Sequence, residues 1–159
     1  MKNWVWDEVH FSLLHPPEHF PELGNDSSCV LKVQAVDGSV LLPGDINQII
    51  ETRLLRDGAA SVDSTVLVVP HHGSSGSSSA DFVAAVSPQF ALIASGHRNR
   101  FDHPRADVVE RYRAADAAII GTVESGAISV LIRRDGEVDV AHRRASHRRF
   151  WHETVVDTQ

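Results

Sequence analysis

Three short apolar runs in this chain each end in a residue able to hold a divalent metal, and that repetition constrains the fold more than any other feature. Val40-Leu41-Leu42-Pro43 runs into Gly44-Asp45. Thr65-Val66-Leu67-Val68-Val69 runs into Pro70-His71-His72-Gly73-Ser74. Phe90-Ala91-Leu92-Ile93-Ala94 runs into Ser95-Gly96-His97, then Asn99-Arg100-Phe101-Asp102-His103-Pro104. As neighbouring strands of one sheet, these runs bring their polar ends to a single edge, where layered α/β proteins build their sites. One carboxylate with two or three imidazoles suits zinc or manganese better than magnesium or calcium, which take all-oxygen shells.

The remaining pattern supplies a sheet and helices for those runs to join. Residues 10–14 alternate as a strand, stopped by Pro16-Pro17, and residues 18–28 hold the Pro, Gly, Asn, Asp and Ser of a loop. Residues 29–36 and 39–43 read as a hairpin turning at Asp37-Gly38. The period then changes: Ile46, Ile49, Ile50, Leu54 and Leu55 share a helical face that Gly58 closes. A second helix carries Phe82, Val83 and Val86, and a third, after Pro104, carries Val108, Val109 and Tyr112. Between the second strand-end motif and its helix, residues 74–79 are serine-rich, with the composition of a flexible linker but too short to separate domains. Residues 117–120 form a short strand, and residues 127–132 and 137–141 a second hairpin around Asp135-Gly136. The expected class is α/β (α+β), a mixed sheet flanked by helices.

At 159 residues the chain is one domain in size, and three Trp and six Phe exclude a disordered polymer. Lone Cys29 cannot close an intrachain disulfide, and its place in an apolar run predicts a buried structural thiol. No apolar stretch approaches the roughly 20 residues that span a bilayer, so the chain as given is expected to be soluble. A net charge of −6 gives no overall pull toward nucleic acid. Arg133, Arg134, Arg143, Arg144, Arg148 and Arg149, with Phe150 and Trp151, nonetheless concentrate positive charge near one end. Residues 142–159 read either as a solvated, frayed tail after a domain of residues 1–141, or as a phosphate-contacting, base-stacking tail.

Each candidate residue carries a structural alternative. Asp45 either caps the following helix or presents its carboxylate to a ligand, with Gly44 allowing close approach. Adjacent His71 and His72 at a strand terminus point to chemistry, and strand alternation would aim only one of them at the site. His103 is either an ordinary loop histidine or a ligand whose ring Asp102 orients. Arg98 and Arg100 are either solvated charges or holders of a phosphate oxygen. His10, His15, His19, His142, His147 and His152 have no metal-binding spacing and are expected to be structural or exposed.

Taken in order, these segments resemble the C-terminal half of a metallo-β-lactamase-fold domain, and more narrowly the soluble domain of the ComEC family of DNA-uptake competence proteins. The resemblance rests on Leu13-Leu14-His15-Pro16-Pro17, Asn25-Asp26-Ser27-Ser28-Cys29-Val30-Leu31, Leu41-Leu42-Pro43-Gly44-Asp45, Val68-Val69-Pro70-His71-His72-Gly73-Ser74, Pro88-Gln89-Phe90-Ala91-Leu92-Ile93, Asn99-Arg100-Phe101-Asp102-His103-Pro104 and Gly126-Ala127-Ile128. It implies a partial αββα sandwich and metal-dependent phosphodiester hydrolysis of DNA during natural transformation. Asp45, His71, His72 and His103 would be catalytic, with Asp45, His71 and His103 as ligands of Zn or Mn. Asn25, Ser74, Arg98, Asn99 and Arg100 would contact substrate. The parent protein would sit in the bacterial inner membrane, joined to a membrane channel portion.

The family's His-x-(His/Asp)-x-Asp-His cluster has no counterpart in this sequence. The chain is therefore expected to be a fragment, a split gene product or a degenerate remnant, supplying half of a site that holds two metals when complete, and to be inactive alone. One sheet face would lack its partner, which predicts exposed apolar surface and a possible dimer. The alternative readings are a non-catalytic DNA- or partner-binding module and a small-molecule phosphoesterase.

Overall fold

Four strands, β1 (Asn3–Trp6), β2 (Val9–His15), β3 (Val30–Ala35) and β4 (Gly38–Leu42), form an antiparallel meander. From β4 onward the pairing turns parallel, through β5 (Val66–Val68), β6 (Phe90–Ile93) and β7 (Ala118–Gly121). The result is a seven-stranded mixed sheet in sequence order, with a separate hairpin of β8 (Ile128–Ile132) and β9 (Val138–His142). The computed structural model describes residues 2–56, 62–147 and 149. Gly58, Arg148, Phe150, Trp151 and His152 lie outside the described residues.

Parallel strands need crossovers, and three of them carry helices: α1 (Gln48–Arg56), α2 (Ala80–Val86) and α3 (Ala106–Ala114). Their apolar stripes cover one sheet face. Ile50, Phe82, Val83, Val86, Val108 and Tyr112 pack with Leu41, Leu67, Ala91 and Ile93 in one buried core. The expected mixed α/β sheet flanked by helices is the observed architecture. Ile49 departs from the expected helical face: it is 71% exposed, while Ile46 and Ile50 are buried.

The opposite sheet face is covered less. Register aligns Trp4, Phe11, Val33, Val40, Val66 and Phe90 in one row across six strands, and of these only Val66 is fully buried. Trp4 stacks flat on Phe11, with ring centroids 5.0 Å apart. Strand β1, at the sheet edge, has every residue exposed.

Two expectations are corrected here. Cys29 is exposed rather than buried, because it precedes β3 and Val30 takes the first core position. The serine-rich residues 74–79 are not linker-like. Ser77 and Ser78 are fully buried, and the Glu51 carboxylate, itself buried on α1, accepts the backbone N–H groups of Ser78 (2.5 Å) and Ser79 (2.8 Å). The Tyr112 hydroxyl donates to Ser78 Oγ, and Arg111 donates to the carbonyls of Ser77 and Ser78. Burial pushes the Tyr112 phenol far above its ordinary range.

Beyond β9, α5 (Arg143–Ser146) lies near α4 (Thr122–Ser125), and Arg144 donates to the Val123 carbonyl. His142 Nδ1 and Ser125 Oγ form a 2.7 Å hydrogen bond. His15 is buried, whereas His10, His19 and His147 are exposed. No helix among the described residues is long and apolar enough to cross a membrane.

Candidate metal-facing site at the sheet edge

Because β4, β5 and β6 are parallel neighbours, their C-terminal ends share one edge, as the three strand-end motifs require. Backbone hydrogen bonds then lock the motifs together. His71 N–H donates to the Gly44 carbonyl at 3.1 Å, and Arg105 N–H donates to the Gly73 carbonyl at 2.9 Å. Ser28 Oγ, from the loop before β3, accepts the Asp45 N–H at 3.1 Å.

Asp45 does not cap α1. Asn47 does: its Oδ1 accepts the N–H groups of Ile49 and Ile50. The Asp45 carboxylate is thereby left for the site. The glycine before it meets a packing need. Gly44 has φ of +62°, and a Cβ there would come within 2.8 Å of Ser28 Cβ.

His71 and His72 do not continue β5. With Gly73 they make a left-handed turn, at φ values of 51°, 57° and 82°. For residues other than glycine that conformation costs about 1–2 kcal/mol each, and such strain collects at functional sites. The turn also removes the alternation expected of a strand, so both imidazoles stand near His103. The rings of His71 and His103 meet edge to face, with centroids 6.0 Å apart. Gly73 is indispensable to this packing, since a Cβ would lie 2.7 Å from Pro104 Cβ.

The two histidines are engaged differently. His72 Nδ1 donates to the Ala94 carbonyl at 2.6 Å, which leaves Nε2 of the neutral ring without a proton. That Nε2 faces Asp45 Oδ1 at 3.6 Å. A carbonyl fixing the far nitrogen is how metal-ligating imidazoles are usually oriented. His71 Nε2 instead accepts from the Asn25 side-chain amide at 3.3 Å.

His103 is held by its loop. Asn99 Oδ1 accepts the His103 N–H (3.0 Å), while Asn99 Nδ2 donates to the carbonyls of Gly96 (3.0 Å) and His103 (2.6 Å). Asp102 pairs with Arg105 at 2.9 Å, where sequence adjacency suggested the His103 ring. Burial first, then the neighbouring His71, His72 and Arg105, hold the His103 imidazole below its ordinary range, against an opposing pull from Asp102. Ser74 N–H donates to the His71 carbonyl, closing the turn. Arg98 and Arg100 are exposed beside the site, as is His97. A cavity of about 420 Å³ opens between His72 and His103, lined also by Ala94, Ser95, Asn99 and Phe101.

Asp45 and His72 fit one edge of a metal site: a carboxylate and an oriented imidazole nitrogen, both partly open to solvent. Among the described residues, no group of three or more His, Cys, Asp or Glu side chains is placed to hold one ion. Phe101, stacked on His103, is a site-lining residue that the sequence marked only as part of a motif.

No protein-family model matches the chain. It is 37% identical over 150 residues to the competence protein ComA of Neisseria gonorrhoeae, covering 94% of this chain and 21% of that protein. It is 33% identical over 159 residues to recombination protein 2 of Haemophilus influenzae, covering 98% and 19%. It is 30% identical over 121 residues to ComE operon protein 3 of Bacillus subtilis, covering 76% and 16%. The chain thus spans about a fifth of the length of the curated relatives it matches, or somewhat less.

Proposed function

We propose that this chain, which is related to competence proteins over nearly its whole length, is part of a metallo-β-lactamase-like phosphodiesterase acting on DNA during uptake, within a larger membrane-associated protein. The reading rests on one observation above the others. The Asp45 carboxylate and the carbonyl-oriented imidazole of His72 face each other at a sheet edge where His71, His103 and Asn25 also gather.

In this reading Asp45 and His72 hold a divalent ion, Zn or Mn, with His103 and His71 beside it. The bound ion supplies electrophilic polarisation of a phosphodiester and acidifies water. Asn25 holds the His71 ring, Asn99 fixes the His103 loop, and Arg98 and Arg100 attract the phosphate chain. The remaining ligands come from a further segment. Turnover therefore needs that segment.

A non-catalytic DNA- or partner-binding module is the second reading, favoured by the exposed Arg98 and Arg100 beside the site loops. The test is cleavage of an end-labelled single-stranded oligonucleotide with Mn²⁺ or Zn²⁺. The chain is assayed alone and mixed with the segment that precedes the matched region in a competence-protein relative. Metal-dependent cleavage only in the mixture, lost with Asp45→Ala, is the expected result. Salt-sensitive DNA binding without cleavage in either arm would establish the binding module instead.

A further inference from the structure

Phe101 is 58% exposed, yet it is not an isolated surface residue. It lines the cavity that His72 and His103 also line. Its ring stacks on the His103 imidazole, with centroids 5.7 Å apart and planes 25° from parallel. The Arg100 guanidinium stands over the same ring, 4.6 Å from its centroid. Three flat groups, one of them cationic, are therefore assembled at the mouth of the candidate site.

The surroundings narrow what such a column would receive. The rest of the cavity lining, Ala94, Ser95, Gly96, Asn99 and Thr122, is built of short side chains, so Phe101 supplies its one aromatic hydrocarbon face. The ring face that Arg100 covers is the size of one planar group. Aromatic faces with an adjacent guanidinium are what unpaired bases stack on, whereas paired bases keep their faces inside the duplex.

We propose that Phe101 is a stacking platform for an unpaired base of a single-stranded nucleic acid, whose adjoining phosphodiester enters the cavity between His72 and His103. The inference rests on the phosphodiester reading of the site and adds to it a positioning residue. Seating the base displaces the Arg100 guanidinium from the ring and frees it for a phosphate oxygen.

The experiment is fluorescence anisotropy on the full 159-residue chain, with two labelled probes of equal length, a single-stranded thymidine oligomer and its abasic counterpart. The expected result is tighter binding of the thymidine oligomer by wild type. Phe101→Ala should weaken that binding roughly 10-fold and leave the abasic oligomer unchanged. Phe101→Tyr, which keeps the ring, should restore the thymidine affinity. Unchanged thymidine affinity in Phe101→Ala, or equal losses for both probes, overturns the platform. If wild type still binds the abasic oligomer, the phosphodiester reading survives that failure. Binding of neither probe by wild type overturns both.

Discussion

Asp45 Oδ1 and His72 Nε2 face one another across 3.6 Å, and while His72 is neutral neither has a hydrogen to offer the other. Two acceptors aimed at the same space repel, unless a proton or a metal ion lies between them. The arrangement is imposed from outside the pair. The Ala94 carbonyl sets the ring, the Ser28 hydroxyl sets the Asp45 backbone, and a left-handed turn presents the histidine. In the proposed reading, the cation sits in the space that these surrounding contacts hold open between the two acceptors.

The turn depends on Gly73. Gly73→Ala places a side chain at φ of +82° and a Cβ 2.7 Å from Pro104 Cβ. The left-handed backbone costs about 1–2 kcal/mol, and the overlap about 1–3 kcal/mol more. Urea denaturation should show a stability loss of about 2–5 kcal/mol, with the His103 loop displaced. A midpoint equal to that of wild type would contradict the packing described.

Glu51 supports the same region from below, because its carboxylate receives the N–H groups that open the serine-rich loop. Glu51→Ala leaves two donors without their acceptor and should cost about 3 kcal/mol or more. Glu51→Gln keeps one acceptor oxygen and should lose about half as much. Denaturation midpoints for the two variants check the order. Equal stability in both would show that the loop does not depend on this carboxylate.

Acid should weaken the fold through His15. Burial is the main reason its imidazole titrates below the ordinary 6.5, partly offset by its hydrogen bond with the Asp26 carbonyl. Between the lowered native value and 6.5 the unfolded chain binds more protons than the folded one, so stability rises with pH across that window. The contribution is complete above about pH 6.5 and falls as pH drops through the window. Thermal melts from pH 7.5 to pH 5 should show a falling Tm in wild type. His15→Asn should show a shallower slope, whatever its own stability. Parallel slopes would remove His15 from the explanation.

Much of the fold was legible because its strands carry apolar runs and its helices carry a clear change of period. The edge location of the site followed from three runs sharing one design. Other features were hidden for identifiable reasons. Strand β1 buries no residue, so Trp4 and Trp6 show no inside and outside. The turn after it uses Asp7 and Glu8 at φ of 50° and 64°, positions that a sequence usually announces with Asn-Gly. The left-handed path of His71 and His72 is held by tertiary hydrogen bonds, from His71 N–H to the Gly44 carbonyl and from Arg105 N–H to the Gly73 carbonyl, which no local pattern records. The role of Asn47 as cap was masked by Asp45 two residues earlier. Ser77 and Ser78 resemble linker residues because their burial depends on Glu51, Arg111 and Tyr112, all distant in sequence.

The most direct test of the metal-facing pair is a calorimetric titration of the purified chain with Mn²⁺ and Zn²⁺, repeated on Asp45→Ala and His72→Ala. Saturable binding near one ion per chain, weakened at least about 10-fold in each variant, is the predicted result. Binding that both variants retain unchanged, or no binding by the wild type, would contradict the assignment of Asp45 and His72 as the edge of a metal site.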